Sequence, residues 1–310
     1  MSIRLANTDS WPGLGLCLLA VAAFAFPPQN RQPEKFSLAF HPEAGTTLVY
    51  SLNNQVESEG RSILGLDLSL QARASGEIDL WVAQAAADHV VVNLTTPGIQ
   101  VFLRVLDRLD EFMLKAQKEN PVEMVINKTG RVGNIRNIEA LEEQNLFNFS
   151  IMEVLQTYFP AFPERPVAEG ESWTDHRQLT IPFQSMKLTV DIESTSTLVR
   201  VLPGPEGRSG VINAQYAVIL SGRQQFEDTV AAVDGKGSGS GVLNLQIDRR
   251  SFTEYRLDFA VNGALTLHKA GAKLAEWPIR LSAFNGLSLV DSRVSPEVRP
   301  RSFGSVNPIK

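Results

Sequence analysis

The sequence of 310 residues has almost no cysteine, and its histidines are few and scattered. A single cysteine excludes a disulfide within the chain, so the fold must be stabilised by packing alone. The four histidines, His41, His89, His176 and His268, are far apart, and the sequence contains neither an HExxH motif nor a cysteine pair. These absences remove the usual ligand patterns of a zinc site.

A nucleotide-binding loop is also missing, although residues 234–241, Asp-Gly-Lys-Gly-Ser-Gly-Ser-Gly, look like one. The GxxxxGK[ST] pattern needs glycine where Val230 stands, and serine or threonine where Gly237 follows Lys236. The GxGxxG dinucleotide pattern fails because Ser240 stands at its third glycine position. The Gly-x-Ser-x-Gly motif of serine hydrolases is absent as well.

The four glycines of this stretch, Gly235, Gly237, Gly239 and Gly241, recur with a period of two. The residues that follow alternate as in a strand, so all four glycines are predicted to lie on one face of that strand. The face would lack side chains for about 13 Å, at an entropic cost that needs a compensating reason. We expect an aromatic side chain, a helix or a ligand to pack there, or the sheet to bend sharply. A flexible edge strand is the alternative.

The N-terminal segment is predicted to be a signal peptide covering residues 1–25. Residues 13–26 form an uncharged apolar run with the length of a signal-peptide core. Ala23 and Ala25 fit the small-x-small cleavage rule, which predicts an extracytoplasmic protein, periplasmic or secreted. Cleavage would remove Cys17, and with it any thiolate chemistry. The preceding charge is weak, so an uncleaved N-terminal membrane anchor is the alternative.

The rest of the chain is predicted to be mainly β, with long curved antiparallel strands in two linked halves, half-barrel or sandwich-like. Alternating apolar and polar residues indicate strands such as 236–248 and 252–267. Two stretches have apolar residues at helical spacing, which predicts inserted helices near 102–118 and 138–158 that cover one face of the sheet. The predicted organisation is a linker (26–37), an N-terminal β-rich half with helices (38–166), a C-terminal antiparallel β half (167–294) and a disordered tail (295–310).

The two halves show a weak internal repeat. Gly-Thr-Thr-Leu at 45–48 precedes Asn-Lys-Thr-Gly at 127–130 by nearly the same distance as Gly-Glu-Ser-Trp at 170–173 precedes Asp-Arg-Arg-Ser at 248–251. Each half would then run from a strand led by glycine to a final hairpin. Duplication and chance both remain open explanations.

Four short motifs carry a resemblance to a known family. They are Asn-Lys-Thr-Gly-Arg-Val at 127–132, Phe-Pro-Ala-Phe-Pro-Glu-Arg-Pro-Val at 159–167, Gly-Glu-Ser-Trp at 170–173 and the glycine strand at 235–241. Over most of residues 40–290 the chain resembles an uncharacterised domain family (a domain of unknown function) of bacterial secreted proteins and lipoproteins. The resemblance implies an extracytoplasmic β-rich protein and assigns no catalytic residues. Lipoprotein members have a lipobox cysteine, a feature that this sequence lacks.

The motifs and absences together favour a binding protein. We expect no catalytic residue, no cofactor and no metal, and an apolar or amphipathic ligand, such as a lipid, in a groove between sheet and helices. The candidate residues of a ligand- or packing-face are Gly235, Gly237, Gly239 and Gly241.

Other functions remain open at this stage. A structural or protein-interaction module of the cell envelope, without a small ligand, is the alternative, and an enzyme with a scattered site is a third possibility. Asp175 and His176 form the one local pair with acid–base character, although a solvent-facing strand or turn is expected there. The net charge of −5 gives no electrostatic basis for nucleic-acid binding.

Overall fold

The computed structural model divides the chain into two compact units, Met1–Pro33 and Glu34–Lys310, of which the second contains the sheet. The predicted signal peptide, most of the linker, and the predicted tail lie outside the described residues. The residues that the structure describes are 33–61, 67–105, 108–142, 159–183 and 186–294.

The described residues form fourteen strands and one short helix. This composition confirms the prediction of a mainly antiparallel β protein. The elements are β1 (Lys35–Phe36), β2 (Thr46–Arg61), β3 (Asp67–Ala85), β4 (His89–Val105), β5 (Arg108–Ala116), β6 (Val122–Asn127), β7 (Val132–Arg136), α1 (Glu139–Glu142), β8 (Val167–Ala168), β9 (Ser172–Phe183), β10 (Met186–Gly204), β11 (Gly207–Phe226), β12 (Thr229–Gln246), β13 (Ser251–Lys269) and β14 (Ala272–Val294).

Twelve of these strands make one antiparallel sheet in the order β7-β6-β4-β3-β2-β14-β13-β12-β11-β10-β9. The twelfth, β5, pairs with the second part of β4, beyond the end of β6. Strand β1 pairs separately with β8. The two halves of the chain meet where β2 pairs with β14, so they share a single sheet. Among the described strands β7 and β9 do not pair, so the sheet is open.

The helix predicted near 102–118 is wrong. That stretch forms the end of β4 and the strand β5, which pair with each other. The apolar residues that suggested one helical stripe lie on both faces of the hairpin: Phe112 and Ala116 share a face, while Leu109 and Met113 are about half exposed on the other. A hairpin can imitate helical spacing because its turn resets the two-residue alternation.

The helix predicted at 138–158 is also not supported. The described part of that stretch contains only the four-residue helix α1, and residues 143–158 lie outside the described residues. In the described ranges, no helix has the length and apolarity that crossing a membrane requires.

The main apolar cluster lies on the face of the sheet that carries Tyr50, which we call the core face. Side chains from β2, β3, β4, β6 and β13 meet there with two segments outside the large sheet, residues 36–40 and 159–167. Five aromatic rings lie at the centre of this cluster, with neighbouring centroids 4.8–6.4 Å apart: Phe40, Tyr50, Phe159, Phe252 and Tyr255. We call this end of the sheet the proximal end.

The same segments connect the two edges of the sheet at the proximal end. Phe162 N donates to Thr129 O in the β6–β7 turn at 3.0 Å, and Arg177 Nη1 of β9 donates to Phe159 O at 2.9 Å. The guanidinium of Arg131 binds the carboxylate of Asp175 directly, at 2.7 Å. Ion pairs and backbone hydrogen bonds thus join edges that have no strand pairing.

The two halves repeat the same local geometry. Gly45, with φ of 84°, donates its N–H to Val82 O, and Gly170, with φ of 80°, donates its N–H to Leu198 O. Glycine suits both turns because other residues rarely adopt a positive φ. A bulge follows each acceptor, at Val82/Gln84 and at Leu198/Arg200. The turns at Gly45 and Gly170, which begin the two copies of the sequence repeat, therefore have the same local structure.

Two turns that correspond in the sequence repeat also make the same kind of contact. Lys128 N, in the β6–β7 turn, donates to Asp88 O in the β3–β4 connection, and Ile247 N, at the β12–β13 turn, donates to Arg208 O near the start of β11. Each of these turns is thus bonded to the neighbouring hairpin of the sheet.

Candidate functional site

A second apolar cluster covers the core face towards the opposite, distal end of the sheet, where β11–β12 and β13–β14 turn. Its buried members are Val218, Leu220, Val233 and Val261. Half-buried side chains pack around these four: Met186, Leu188, Val190, Tyr216, Phe259, Leu265, Ile279 and Leu281. All of these residues belong to β10–β14. We call this set the distal apolar surface.

The distal apolar surface differs from the main cluster in its cover. The main cluster includes fully buried side chains from segments outside the large sheet, such as Phe40 and Val167. In the distal cluster, every member in the described part of the chain comes from the sheet itself. Side chains of Leu188, Ile279 and Leu281 consequently keep part of their apolar surface in contact with water.

The structure places the four predicted glycines in β12, on the core face next to the distal apolar surface. A Cβ at Gly235 would lie 2.9 Å from Val261 Cγ1, and one at Gly239 would lie 2.6 Å from Phe259 Cβ. A Cβ at Gly241 would lie 2.8 Å from Arg256 O and 3.1 Å from the Tyr216 ring.

The backbone of the neighbouring strand causes much of this crowding. A Cβ at Gly237 would lie 2.8 Å from the carbonyl carbon of Ala260, and would overlap its oxygen. At Gly239 it would lie 2.9 Å from Phe259 Cα and overlap the oxygen of Asp258. Because β13 bends over the core face of β12, we infer that the glycines permit a sharp bend and that side chains of the protein fill the space above them.

Two tyrosines mark the boundary between the clusters. Tyr216 packs against both clusters, and its hydroxyl lies 3.4 Å from that of Tyr255. Burial raises the pKa of Tyr216, and the neighbouring Tyr255 raises it further. Burial also raises the pKa of Tyr255. Both hydroxyls therefore stay protonated at neutral pH and offer uncharged hydrogen-bonding groups beside the apolar surface.

Asp175 and His176, the sequence pair with acid–base character, point to opposite faces of β9. Asp175 lies on the core face, where its carboxylate receives hydrogen bonds from Arg177 Nε at 2.8 Å and Arg131 Nη2 at 2.7 Å. The His176 side chain is 66% exposed, with Nε2 3.6 Å from Asp191 Oδ1. The two residues do not form an acid–base pair, and Asp175 holds the sheet edges together instead.

Asp248, in the β12–β13 turn, is bound by a single arginine. Arg208 donates from its backbone N to Asp248 Oδ2 at 2.7 Å and from Nη2 to Oδ1 at 2.6 Å. The same guanidinium reaches Glu34 and lies over the ring of Phe36, 5.6 Å from its centroid. Arg208 thus joins the charged turn to β11 and to the segment that holds Glu34 and Phe36.

Removing the Arg208 side chain should raise the pKa of Asp248. The hydrogen bonds from the Arg208 side chain are the largest cause of the lowered pKa of Asp248, and the hydrogen bond from the Arg208 backbone N–H is the next largest. A carboxylate with a lowered pKa stabilises the fold above its unfolded pKa, and loses this contribution as the pH falls through its folded pKa. We expect Arg208→Gln to move the pKa of Asp248 towards its ordinary value, as measured by NMR titration of the carboxyl carbon.

The control is Arg249→Gln, because Arg249 lies in the same turn but pairs with Glu206. This variant should leave the titration of Asp248 unchanged. An unaltered pKa in Arg208→Gln would contradict the assigned cause.

The four histidines lie apart in the structure as well. His41 Nε2 contacts Ala86 O at 2.5 Å, and His89 Nδ1 contacts Asp88 Oδ1 at 2.8 Å. His268 lies opposite Lys273 near the distal end. Within the described ranges, no three histidine, aspartate or glutamate side chains are grouped closely enough to hold a metal ion.

Sequence reasoning missed the distal apolar surface as a set. The alternation in 186–201 and 277–291 assigns Leu188 and Leu281 to apolar strand faces. It does not reveal that these faces belong to the same surface or that they are less covered than the main cluster. The exposure of an apolar side chain on a sheet depends on which other segments of the chain pack over it. The local sequence of a strand does not encode those distant contacts.

Comparison with protein-family models finds no match, and comparison with curated proteins finds none either. The family resemblance drawn from the four sequence motifs therefore stays a prediction.

Among solved structures, the chain is similar to OmpT, an outer membrane protein of Vibrio cholerae, with 8% identity over 79% of this chain and 100% of that one, and a TM-score of 0.18. It is also similar to OccK2 (OpdF) of Pseudomonas aeruginosa, solved in complex with glucuronate, with 7% identity over 81% of this chain and 100% of that one, and a TM-score of 0.17. At these TM-scores neither likeness supports an inference about this chain.

Proposed function

We propose that this protein binds an apolar or amphipathic ligand on the distal apolar surface, without catalysing a reaction. The observation that carries the proposal is that the described residues cover this surface incompletely, on the same face of the sheet as a main cluster whose central side chains are fully buried. Soluble proteins rarely leave contiguous apolar surface in water unless it binds something.

The energetics of such a site favour a moderate affinity. Removing about 200 Å² of apolar surface from water contributes about 5 kcal/mol. Ordering the ligand offsets part of this gain, and burial of the ligand's own apolar surface adds to it. Tyr216 lies at the proximal limit of the surface, with its hydroxyl 3.4 Å from that of Tyr255, which is buried in the main cluster.

We further propose that the protein acts outside the cytoplasm. The support is the uncharged apolar run at residues 13–26, which contains near its end the small residues of a signal-peptidase site, Ala23 and Ala25. An amphipathic ligand in the cell envelope, such as a lipid, fits both this location and the chemistry of the distal apolar surface.

Dansyl undecanoic acid tests the proposed site, because its fluorescence rises in an apolar environment. We expect the wild-type protein to enhance this fluorescence, and Leu281→Gln to weaken binding by about tenfold, since an amide would meet the apolar chain. Leu274→Gln is the matched control: it makes the same change in the same strand, at a side chain that is 58% exposed and outside the surface. A wild-type protein without enhancement, or equal binding by both variants, would contradict the proposal.

The second candidate is a protein-interaction module, and the edge strand β9 favours it. Among the described strands, β9 (Ser172–Phe183) pairs only with β10. Arg131 Nη2 already donates to His176 O, so strand addition by a partner would involve the part of β9 beyond His176. A monodisperse protein that binds no dansyl undecanoic acid, but captures a strand-forming peptide along β9, would favour this candidate over the first.

A further inference from the structure

The outer face of the sheet, opposite the core face, carries a hollow of about 620 Å³. Its first row of side chains runs across five paired strands, β11, β12, β13, β14 and β2, in register. The row consists of Gln215, Ser240, Asp258, Phe284 and Gln55. At about 4.8 Å between neighbouring strands, it is about 19 Å long.

The second row explains why the outer face is hollow here. Its three central residues, Ser238, Ala260 and Ser282, are all small, and Glu57 stands at its end on β2. The adjacent rows have longer side chains, including Lys236 and Arg280 on one side and Val242 and Arg256 on the other. Small residues flanked by large ones form a trough, which we call the outer trough.

One of the side chains that line the outer trough is aromatic, Phe284. A Cβ at Gly286, two residues further along β14, would lie 3.0 Å from Phe284 Cζ and 3.1 Å from Cε1. The ring of Phe284, which lines the trough, therefore leans along the strand over the glycine. A Cβ at position 286 would be closer to the ring than in ordinary van der Waals contact, so glycine leaves room for this arrangement.

Polar groups surround this ring at fixed register positions. Gln55 lies directly opposite Phe284 and donates to Glu57 Oε1 at 2.7 Å, which orients both side chains. Asp258 faces Phe284 from β13, and Ser240 lies beyond it on β12. Carboxylates, an amide and hydroxyls around one ring supply both donors and acceptors of hydrogen bonds.

We propose that the outer trough binds an oligosaccharide. A pyranose ring has one face of C–H groups, whose positive edges suit the negative face of an aromatic ring, and hydroxyls around its rim that suit Gln55, Glu57 and Asp258. An acyl chain would leave these polar groups without hydrogen bonds in the complex. The trough is open and extended across strands, so it fits a chain of sugar rings better than a single small molecule.

This proposal is independent of the ligand on the distal apolar surface, because alternate residues of a strand point to opposite faces. Ser238 and Ser240 face the outer trough, whereas the alternate residues Gly237 and Gly239 face the core. The two sites can therefore be tested separately in one protein.

Saturation-transfer NMR with cellohexaose and chitohexaose tests the outer trough in the full-length protein. We expect transfer to the ring C–H protons of at least one of the two, and about tenfold weaker binding by Phe284→Ala. Phe284→Tyr keeps a flat ring and should retain binding, which separates stacking from a general loss of structure. Val290→Ala, on the outer face of the same strand and outside the trough, should bind as the wild type does.

A second variant keeps the test decisive if Phe284→Ala fails to fold. Ala260 is exposed at the centre of the trough, so Ala260→Trp should fill it, abolish oligosaccharide binding and leave dansyl undecanoic acid binding intact. No transfer to either oligosaccharide at millimolar concentration overturns the proposal. Undiminished binding by Ala260→Trp also overturns it, as does binding of an extended peptide in the trough in place of both sugars.

Discussion

Gly239→Ala should lower the free energy of unfolding by about 3 kcal/mol, at the upper end of the range for overpacked sites. The added methyl group would lie 2.6 Å from Phe259 Cβ and 2.9 Å from its Cα, in a strand that neighbours on both sides hold in register. Alanine forms strands no worse than glycine does, so a loss of stability must come from the contact. Urea denaturation, followed by circular dichroism, measures the change.

Ser240→Ala is the matched control for this experiment. Ser240 is the next residue of β12 and is exposed on the outer face, so its substitution should change stability by less than about 0.5 kcal/mol. If Gly239→Ala is as stable as Ser240→Ala, β12 is not bent beneath β13, and the glycines mark only a flexible strand.

Phe252→Ala should be the most damaging truncation in the main cluster, with a loss of about 4 kcal/mol. The side chain is fully buried, and its ring contacts four others, at centroid distances of 4.8 Å to Tyr50, 5.6 Å to Phe40, 6.3 Å to Phe159 and 6.4 Å to Tyr255. These rings come from four separate parts of the chain, so the cavity cannot close by a local adjustment.

Phe226→Ala serves as the control for Phe252→Ala, because the ring of Phe226 is 50% exposed near the β11–β12 turn. We expect a change of less than about 0.5 kcal/mol there. Equal losses from the two truncations, again by urea denaturation, would show that the aromatic centre does not hold the proximal end together.

Sequence reasoning predicted the strands of the C-terminal half well. Residues 252–267 were expected to be extended and lie within β13, and the strand expected at 236–248 overlaps most of β12. Both segments alternate apolar and polar residues over many positions, because one side of the sheet is buried. A long alternation of apolar and polar residues is therefore the sequence pattern whose predicted structure is least often overridden by tertiary packing.

Glycine and proline were misleading in the N-terminal half. Ser75-Gly76 is a typical turn signal and Pro97-Gly98 a typical strand end, yet β3 and β4 run through both. A Cβ at Gly76 would lie 2.9 Å from Ile99 Cα, so this glycine allows two backbones to approach closely. The proline lies at a bulge, where Thr96 Oγ1 donates to Glu77 O at 2.6 Å.

Neither candidate site could be predicted as a unit. The outer trough needs Asp258, Phe284 and Gln55 side by side, and this follows from the pairing of β14 with β2. Because hairpin turns fix only local register, a pairing between the two ends of the sheet-forming chain leaves no nearby signal in the sequence.

That pairing also sets the order in which the molecule can be made. Strands β9 to β14 follow one another as hairpins, so each can pair with the strand before it as soon as it has been made. The edge of β2 that faces away from β3 must wait for the last strand of the sheet. Distant pairings are slow to form because the loop entropy is lost before the contacts are gained. The unpaired edge of β2 is therefore the part of the nascent chain most exposed to mispairing, and to exchange of strands between copies, until synthesis reaches β14.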